Sequence, residues 1–323
     1  MTNVSIKTEE VSKTFFALGT INNIRIPGSR NEKAADLAAC RVAEIDDRMS
    51  AFKPESDIGR LSGNAGRHSQ KLHDDTFRLL QKAVRFSHIC GGAFDITIRP
   101  LVELWGINKK GSFIPSDAEI REALELVDYQ SIQLDEESMS AYLEKPGQCV
   151  DLGGIAKGYA ADEVRRILIE NGVTSALINL GGNVAAVGNR PDGNPWKVGI
   201  QNPLAPTGQY LGVLSVTNRT VVTSGCNERF FIKDGVRYHH ILDPRTGKPA
   251  QSRLLSVTAV CENSADADAL TTAMFVLGPE KSLPLLYKAD AEAIFIFNNL
   301  AVAVTKGLSN DFSLCRQGRA VIL

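Results

Sequence analysis

The sequence has little of several features that usually reveal a protein's class. Its 323 residues include 36 Lys and Arg against 37 Asp and Glu, so no basic excess favours a nucleic-acid partner. No apolar run reaches the ~20 residues that a membrane-spanning helix needs. The six cysteines lie far apart and form no C-x-x-C pair. We therefore expect reduced thiols, no nucleic-acid partner and no membrane span.

The first ten residues, Met1 to Glu10, also lack the pattern of a secretory signal. A signal peptide has a basic segment followed by about 7–15 apolar residues, and neither is present here. No lipobox cysteine follows. We expect a cytoplasmic protein, unless a leader has been removed from its natural precursor.

What the sequence does contain is 43% hydrophobic residues arranged in helical and β-type segments. A capping box at Ser116–Glu119 opens one helix, and another follows Gly158. Further helices are predicted over 30–49, 74–89 and 265–276, with strands over 15–27, within 175–261, and over 292–298 and 301–305. These segments predict a mixed α+β fold in which antiparallel sheets are flanked by helices. We expect one compact domain over 1–323.

A glycine-rich corner lies at residues 151–158, where an apolar run meets a helical pattern. It contains Asp151, three glycines and Lys157. Backbone amides and the positive helix end at such a corner favour an anion, and glycine lets a ligand approach the backbone closely. The order of residues matches neither a P-loop nor a Rossmann turn. The corner predicts a phosphate-bearing ligand, with a tight ligand-free connection as the alternative.

Two adjacent histidines, His239 and His240, precede a turn of sequence Asp-Pro-Arg-Thr-Gly. Neighbouring side chains of a strand point to opposite faces, so one histidine can face a site while the other faces core or solvent. A histidine here could act as a general base near neutral pH. The alternative is a hydrogen-bonded histidine at the end of a strand.

Oxygen ligands recur on the helix predicted over 265–276. Asp268 and Thr272 are four residues apart and share one helix face. A carboxylate and a hydroxyl supply the hard oxygens that Mg²⁺ prefers. Acidic residues that stabilise the helix N-terminus are the alternative. A fourth segment, 91–97, offers two glycines and Phe94, which suit either a flat ligand or the core.

Together, these segments contain four motifs in a fixed order: Gly-Ala-Phe-Asp, Asp-x-x-Gly-x-x-Lys-Gly, His-Ile-x-Asp-Pro-x-Thr-Gly and Asp-Ala-Leu-Thr-Thr. The chain thereby resembles the ApbE family of FAD:protein FMN transferases over about residues 15–305. Shorter matches lie at Leu18-Gly19-Thr20, Met49-Ser50-Ala51-Phe52, Asn179-Leu180-Gly181-Gly182-Asn183 and Thr223-Ser224-Gly225. Two positions depart from the family: Leu18 stands where many members have Met, and Cys226 where an acid or Ser is usual.

The resemblance implies an ApbE-like fold of two lobes, with a site for FAD and Mg²⁺ between them. The implied reaction is Mg²⁺-dependent transfer of the FMN moiety of FAD to a Thr or Ser hydroxyl of an acceptor flavoprotein. A phosphoester forms and AMP is released. Some relatives instead hydrolyse FAD to FMN and AMP, and a flavin-binding protein without catalysis is a third hypothesis.

The resemblance also assigns roles to individual residues. His240 would be the base that deprotonates the acceptor hydroxyl. Mg²⁺ would be held by the Gly154 carbonyl oxygen, Asp268 and Thr272, with Thr271 as a further ligand. The expected FAD-binding residues are Leu18, Phe52, Ala93, Phe94, Asp95, Asp151, Lys157 and Ile241.

Overall fold

The computed structural model describes residues 9–107, 111, 113–315 and 320–323. Within these residues the helices are α1 (Glu32–Met49), α2 (Asp57–Gly63), α3 (Asp74–Ile89), α4 (Arg99–Trp105), α5 (Asp117–Leu124), α6 (Ala156–Glu170), α7 (Ser264–Leu277) and α8 (Pro279–Lys288), with short 3₁₀ turns at Tyr129–Ser131 and Lys306–Leu308. None of these helices is long and apolar enough to cross a membrane.

The strands of the same residues are β1 (Glu10–Ala17), β2 (Thr20–Pro27), β3 (Gln70–Lys71), β4 (Ile132–Asp135), β5 (Ser140–Leu143), β6 (Ala176–Leu180), β7 (Asn183–Val187), β8 (Trp196–Gln201), β9 (Tyr210–Val216), β10 (Thr220–Gly225), β11 (Phe230–Lys233), β12 (Val236–His239), β13 (Leu242–Asp243), β14 (Lys248–Pro249), β15 (Leu254–Cys261), β16 (Glu292–Phe297), β17 (Val302–Val304), β18 (Phe312–Leu314) and β19 (Val321–Ile322).

Nine of the described strands form one sheet in the order β1-β2-β6-β7-β10-β15-β16-β17-β19. Its neighbours are antiparallel except for β17 and β19, which pair in parallel. Smaller sheets are β3-β5-β4 and β18-β9-β8, and two hairpins, β11-β12 and β13-β14, stand apart from them. The prediction of a mixed α+β fold with antiparallel sheets is therefore confirmed.

The main hydrophobic core lies between the large sheet and its helices. Every residue of β15 is buried, and α7 packs against β15 and β10. Helix α7 is apolar around most of its circumference, with Leu270 and Phe275 fully buried. Full burial of one such side chain stabilises the fold by about 1.5–3 kcal/mol. A second, smaller core contains Leu101, Trp105, Ile120 and Leu242.

Close packing of α6 on α7 depends on a single glycine. A Cβ atom built on Gly158 would overlap the carbonyl oxygen of Ser264. On its other side, α6 is tied to α1 and α3 through Arg41, whose guanidinium binds Asp75 at 2.8 Å and Glu163 at 2.9 Å. These contacts fix the first turn of α6 beside the first half of α7.

Most predicted elements agree with the structure. The helices expected over 30–49, 74–89 and 265–276 are α1, α3 and α7, and the capping box at Ser116–Glu119 is formed. The single strand expected over 15–27 is wrong: β1 and β2 form a hairpin whose turn contains Leu18 and Gly19. Both turn residues have positive φ, 55° and 70°. Leucine rarely adopts this conformation, so the sequence carried no usual turn signal.

Candidate active site

The glycine-rich corner is shaped by short-range hydrogen bonds. The Asp151 amide donates to the carbonyl of Ile96 at 2.7 Å, which joins the corner to segment 91–97. One carboxylate oxygen of Asp151, Oδ1, accepts a hydrogen bond from the Gly153 amide at 2.7 Å. Helix α6 then begins at Ala156, and the residue before it, Ile155, makes no side-chain capping hydrogen bond. The positive end of the helix dipole is therefore directed at the corner.

The carboxylate of Asp268 reaches the corner from α7. It is buried, with 4% of the residue exposed, and its Oδ2 accepts a hydrogen bond from the Gly158 amide at 3.0 Å. Its Oδ1 lies 3.8 Å from Nζ of Lys157. That ammonium group also donates to the Gly153 carbonyl at 3.0 Å. The carboxylate is thus held by main chain on one side and faces a cation on the other.

Gly154 lies beside the second oxygen-bearing residue of α7, Thr272. A Cβ atom built on Gly154 would be 3.6 Å from Oγ1 of Thr272 and 3.0 Å from the ring of Phe94. A larger residue would therefore crowd this position. The Thr272 side chain is half-buried, and its hydroxyl makes no hydrogen bond with the described residues. Gly154, Asp268 and Thr272 therefore meet at the corner.

These residues fit a divalent cation that favours oxygen. They offer a carboxylate, a hydroxyl and a main-chain carbonyl, the hard donors that Mg²⁺ takes, and Mg²⁺ usually needs only one or two carboxylates from the protein. Among the described residues there is no group of three or more His, Cys, Asp or Glu side chains that could hold a metal ion. The donor set therefore suits a cation that completes its coordination with substrate and water.

Thr271 has a different environment from its neighbour. Its hydroxyl donates to the main-chain carbonyl of Asp268 at 2.8 Å and accepts a hydrogen bond from the hydroxyl of Ser224 at 2.9 Å. The residue is fully buried. This hydroxyl therefore ties α7 to β10.

His240 follows directly after β12. Its amide donates to the Arg229 carbonyl at 3.1 Å, and its Nδ1 lies 3.3 Å from the same oxygen. When Nδ1 carries the proton and donates it to that oxygen, Nε2 keeps its lone pair and can accept another proton. Burial, together with the positive charges of Arg229 and Lys157, lowers the pKa of His240 to about 4. The side chain is therefore neutral at pH 7. Its pKa lies well below the near-neutral value expected from the sequence.

His239 faces the core, on the opposite side of the chain. Its Nε2 is 3.0 Å from the Ala250 carbonyl, and its ring meets Phe275 of α7 edge-on at 5.4 Å. Only 6% of the residue is exposed. Burial lowers the pKa of His239 as well. His239 thus connects β12 with α7, the helix that carries Asp268 and Thr272.

The other predicted FAD-binding residues have varied surroundings. Phe94 is buried beside Gly154 and meets Phe86 edge-on at 5.9 Å, and Ala93 is buried next to it. The Asp95 carboxylate accepts hydrogen bonds from the amide and hydroxyl of Thr97 at 2.8 and 2.6 Å. Burial raises the pKa of Asp95. Its other oxygen, Oδ2, accepts a hydrogen bond from the Tyr129 amide at 3.3 Å, so the carboxylate stabilises its own turn and joins it to Tyr129.

Leu18 lies in the β1–β2 turn, and Ile241 is buried directly after His240. Phe52 is exposed, with 65% of the residue accessible, and the Arg99 guanidinium lies 5.1 Å from the centre of its ring. Arg99 also donates a hydrogen bond to the Ala51 carbonyl. Phe52 is thus held at the start of α4, the helix that follows segment 91–97 in the chain.

A cleft of about 830 Å³ opens between the β13–β14 hairpin and the region where α7 ends and α8 begins. Its lining comes from residues 243–253, 276–281 and 297–301, and includes none of the predicted site residues. The cleft is therefore separate from the corner that contains Gly154 and Asp268.

Arg229 was not among the residues singled out from the sequence, yet its carbonyl orients His240. A signal for it was present. Asp234-Gly235 is a two-residue hairpin turn, and both residues have positive φ. Counting outward from such a turn fixes the strand register, which places residue 229 opposite residue 240.

Comparison with known proteins found similar sequences and a similar structure. The ApbE family model matches residues 18–295. A Klebsiella pneumoniae protein named FAD:protein FMN transferase is 39% identical over 295 residues, covering 91% of this chain and 92% of its own length. A Treponema pallidum protein of the same name is 34% identical, with 94% and 88% covered. The crystal structure of a Thermotoga maritima ApbE protein has a TM-score of 0.85 at 31% identity, with 93% and 98% covered.

Proposed function

This chain belongs to the ApbE family, and we propose that it transfers the FMN moiety of FAD to a Thr or Ser hydroxyl of an acceptor flavoprotein. In this reaction the hydroxyl oxygen attacks the phosphorus atom of the FMN moiety. The bond from that phosphorus to the bridging oxygen of the diphosphate breaks, and AMP leaves. The name of the Klebsiella pneumoniae relative supports this activity.

One observation carries the proposal: the meeting of Gly154, Asp268 and Thr272 at a glycine-rich corner next to Lys157. We propose that the Gly154 carbonyl, the Asp268 carboxylate and the Thr272 hydroxyl hold Mg²⁺. When bound, Mg²⁺ neutralises charge on phosphate oxygens. The Gly158 amide orients the carboxylate of Asp268. Thr271 holds α7 against β10 by accepting a hydrogen bond from the Ser224 hydroxyl.

The proposed base is His240. Its Nε2 takes the proton of the acceptor hydroxyl as the hydroxyl oxygen attacks. The carbonyl of Arg229 accepts a hydrogen bond from Nδ1 and so keeps Nε2 available. Because the pKa of His240 is about 4, the imidazole is unprotonated at neutral pH. General base catalysis of this kind is typically worth about 10²–10⁴-fold in rate.

Binding of the nucleotide is assigned to residues around the same corner. The Lys157 ammonium group supplies positive charge for the diphosphate, and Asp151 shapes the turn that receives it. The remaining proposed FAD contacts are Leu18, Phe52, Ala93, Phe94, Asp95 and Ile241. The Asp95 carboxylate accepts hydrogen bonds from Thr97 and from the Tyr129 amide, and so shapes the segment that carries the proposed FAD contacts Ala93 and Phe94.

The test is to incubate the protein with FAD, Mg²⁺ and a candidate acceptor flavoprotein, followed by a denaturing gel. The proposal predicts a fluorescent acceptor band and one AMP released for each flavin attached. Free FMN and AMP without a labelled acceptor would instead indicate FAD hydrolysis. Bound but unreacted FAD would indicate a flavin-binding protein.

A further inference from the structure

Arg229 and His240 lie directly opposite each other on adjacent antiparallel segments. Strand β11 pairs with β12 from Lys233 and Val236 to Phe230 and His239. The hydrogen bond from the His240 amide to the Arg229 carbonyl extends this ladder by one pair. Opposite residues of an antiparallel pair have their side chains on the same face, with Cβ atoms about 4.5–5.5 Å apart. The side chains of Arg229 and His240 therefore lie on the same face of the hairpin.

Aromatic packing holds this face of the hairpin in place. The next pair along the same face is Tyr238 and Phe231, whose rings stack at 5.1 Å. Tyr238 in turn stacks on buried Trp105 at 5.8 Å. The hairpin is thus anchored to α4, and its open end carries His240 and Arg229.

The charge of Arg229 has no counter-ion among the residues that the structure describes. No carboxylate of the described residues lies within 4 Å of its guanidinium, and the residue is exposed. The other arginine of this hairpin, Arg237, instead lies over the ring of Phe230 at 4.4 Å. The Arg229 charge acts on the His240 ring, as does that of Lys157 from the glycine-rich corner. Two positively charged side chains, Arg229 and Lys157, therefore lie near His240.

We propose that the Arg229 guanidinium binds a phosphate oxygen of the dinucleotide diphosphate, as a second cation alongside Lys157. This inference rests on the proposed function for the identity of the ligand. A guanidinium presents several fixed N–H donors and can bind phosphate in a bidentate manner. As the bond to the bridging oxygen breaks, negative charge moves onto the departing AMP phosphate. Bound to an oxygen of the diphosphate, the guanidinium offsets part of this negative charge.

The experiment compares wild-type protein with Arg229→Gln and Arg229→Lys. These changes remove or alter the guanidinium while the backbone carbonyl that orients His240 remains. The matched control is Lys233→Gln, which removes a positive charge from the exposed end of the same strand. Binding of inorganic pyrophosphate in the presence of Mg²⁺ is measured by calorimetry, FMN transfer is measured separately, and thermal melting confirms folding.

We expect Arg229→Gln to weaken pyrophosphate binding about 10–100-fold, as loss of a charge-assisted hydrogen bond would do. Arg229→Lys should recover part of the loss, and Lys233→Gln should bind as wild type does. Equal pyrophosphate affinity in wild type and Arg229→Gln, or no binding by wild type, would overturn the inference. If pyrophosphate binding depends on Arg229 but no FMN is transferred, the anion site stands and the proposed function fails.

Discussion

The amide of Gly158 donates a hydrogen bond to Oδ2 of Asp268 at 3.0 Å. This contact joins the first turn of α6 to α7, two helices that are remote in sequence. It satisfies an amide that would otherwise lack a partner inside its own helix. It also fixes the orientation of the carboxylate, so that Oδ1 faces Lys157. The proposed metal site thus depends on how closely the two helices approach.

Gly158→Ala should therefore destabilise the fold. The new methyl group would overlap the Ser264 carbonyl oxygen, and forced separation of α6 from α7 should cost about 1–3 kcal/mol. The measurement is the free energy of unfolding in urea. Gly63→Ala is the matched control, because a Cβ atom there meets nothing within 4 Å. Equal stability of the two variants would show that the close packing of α6 on α7 at Gly158 does not need a glycine.

The neighbouring threonines of α7 should respond differently to the same change. Thr272→Val removes a hydroxyl that lies beside Gly154, so we expect weaker Mg²⁺ dependence of FAD binding with little loss of stability. Thr271→Val removes the hydrogen-bonding partner of the Ser224 hydroxyl and should cost about 1–3 kcal/mol of stability. Mg²⁺ titrations and urea unfolding of both variants provide the comparison. A reversed pattern would assign the metal contact to Thr271.

Replacing each of the two adjacent histidines with alanine should also have different effects. His240→Ala should lower FMN transfer about 10²–10⁴-fold while FAD affinity stays close to that of wild type. His239→Ala should mainly lower thermal stability, because it removes a buried ring that contacts Phe275 and hydrogen-bonds the Ala250 carbonyl. Transfer rates are measured alongside FAD titrations and melting curves. Loss of FAD binding in His240→Ala would mean that the proton is taken by another group.

The pH dependence follows from the lowered pKa of His240. A base must be unprotonated to act, and the pKa of His240 is about 4, whereas a histidine in an unfolded chain titrates near 6.5. The value of kcat/KM for FAD should therefore be flat from about pH 6 to 8 and should fall only as the pH approaches 4. The same shift makes His240 favour the folded state above about pH 6.5, and this contribution is lost as the pH falls toward 4.

A pH–rate series under conditions where the fold is intact tests this expectation. The groups that act on the His240 charge are Arg229, His239 and Lys157. A rise in kcat/KM centred near pH 6.5 would contradict the account, because it would indicate a base with an ordinary histidine pKa.

How well the sequence predicts an element depends on whether the interactions that determine the element are local or remote in the chain. The apolar spacing of α3 gave its bounds without error, since amphipathic periodicity is a local property. The β1–β2 hairpin was missed because its turn uses Leu18 with positive φ, which tertiary packing imposes on an unsuitable residue. The Asp234-Gly235 turn, in contrast, is a clear hairpin signal in the sequence because both residues readily adopt that conformation.

For the candidate site, residue spacing placed Asp268 and Thr272 on one helix face, and the structure agrees. Spacing could not separate Thr272 from Thr271, because positions three and four residues beyond Asp268 both lie on that side of a helix. Their difference arises from the position of Ser224 on β10. The depressed pKa of His240 likewise depends on burial and on charges brought from remote segments.

The most direct test of the central claim is Mg²⁺-dependent attachment of FMN to an acceptor flavoprotein by wild type, Asp268→Asn and the control Asp266→Asn. Asp266 lies two residues away on the same helix and pairs with Lys82 at 3.1 Å. Mass spectrometry of the acceptor should show one FMN attached at a Thr or Ser by wild type and by Asp266→Asn, and almost none by Asp268→Asn. Full FMN attachment by metal-free wild-type protein in excess chelator, or by Asp268→Asn, would contradict the account.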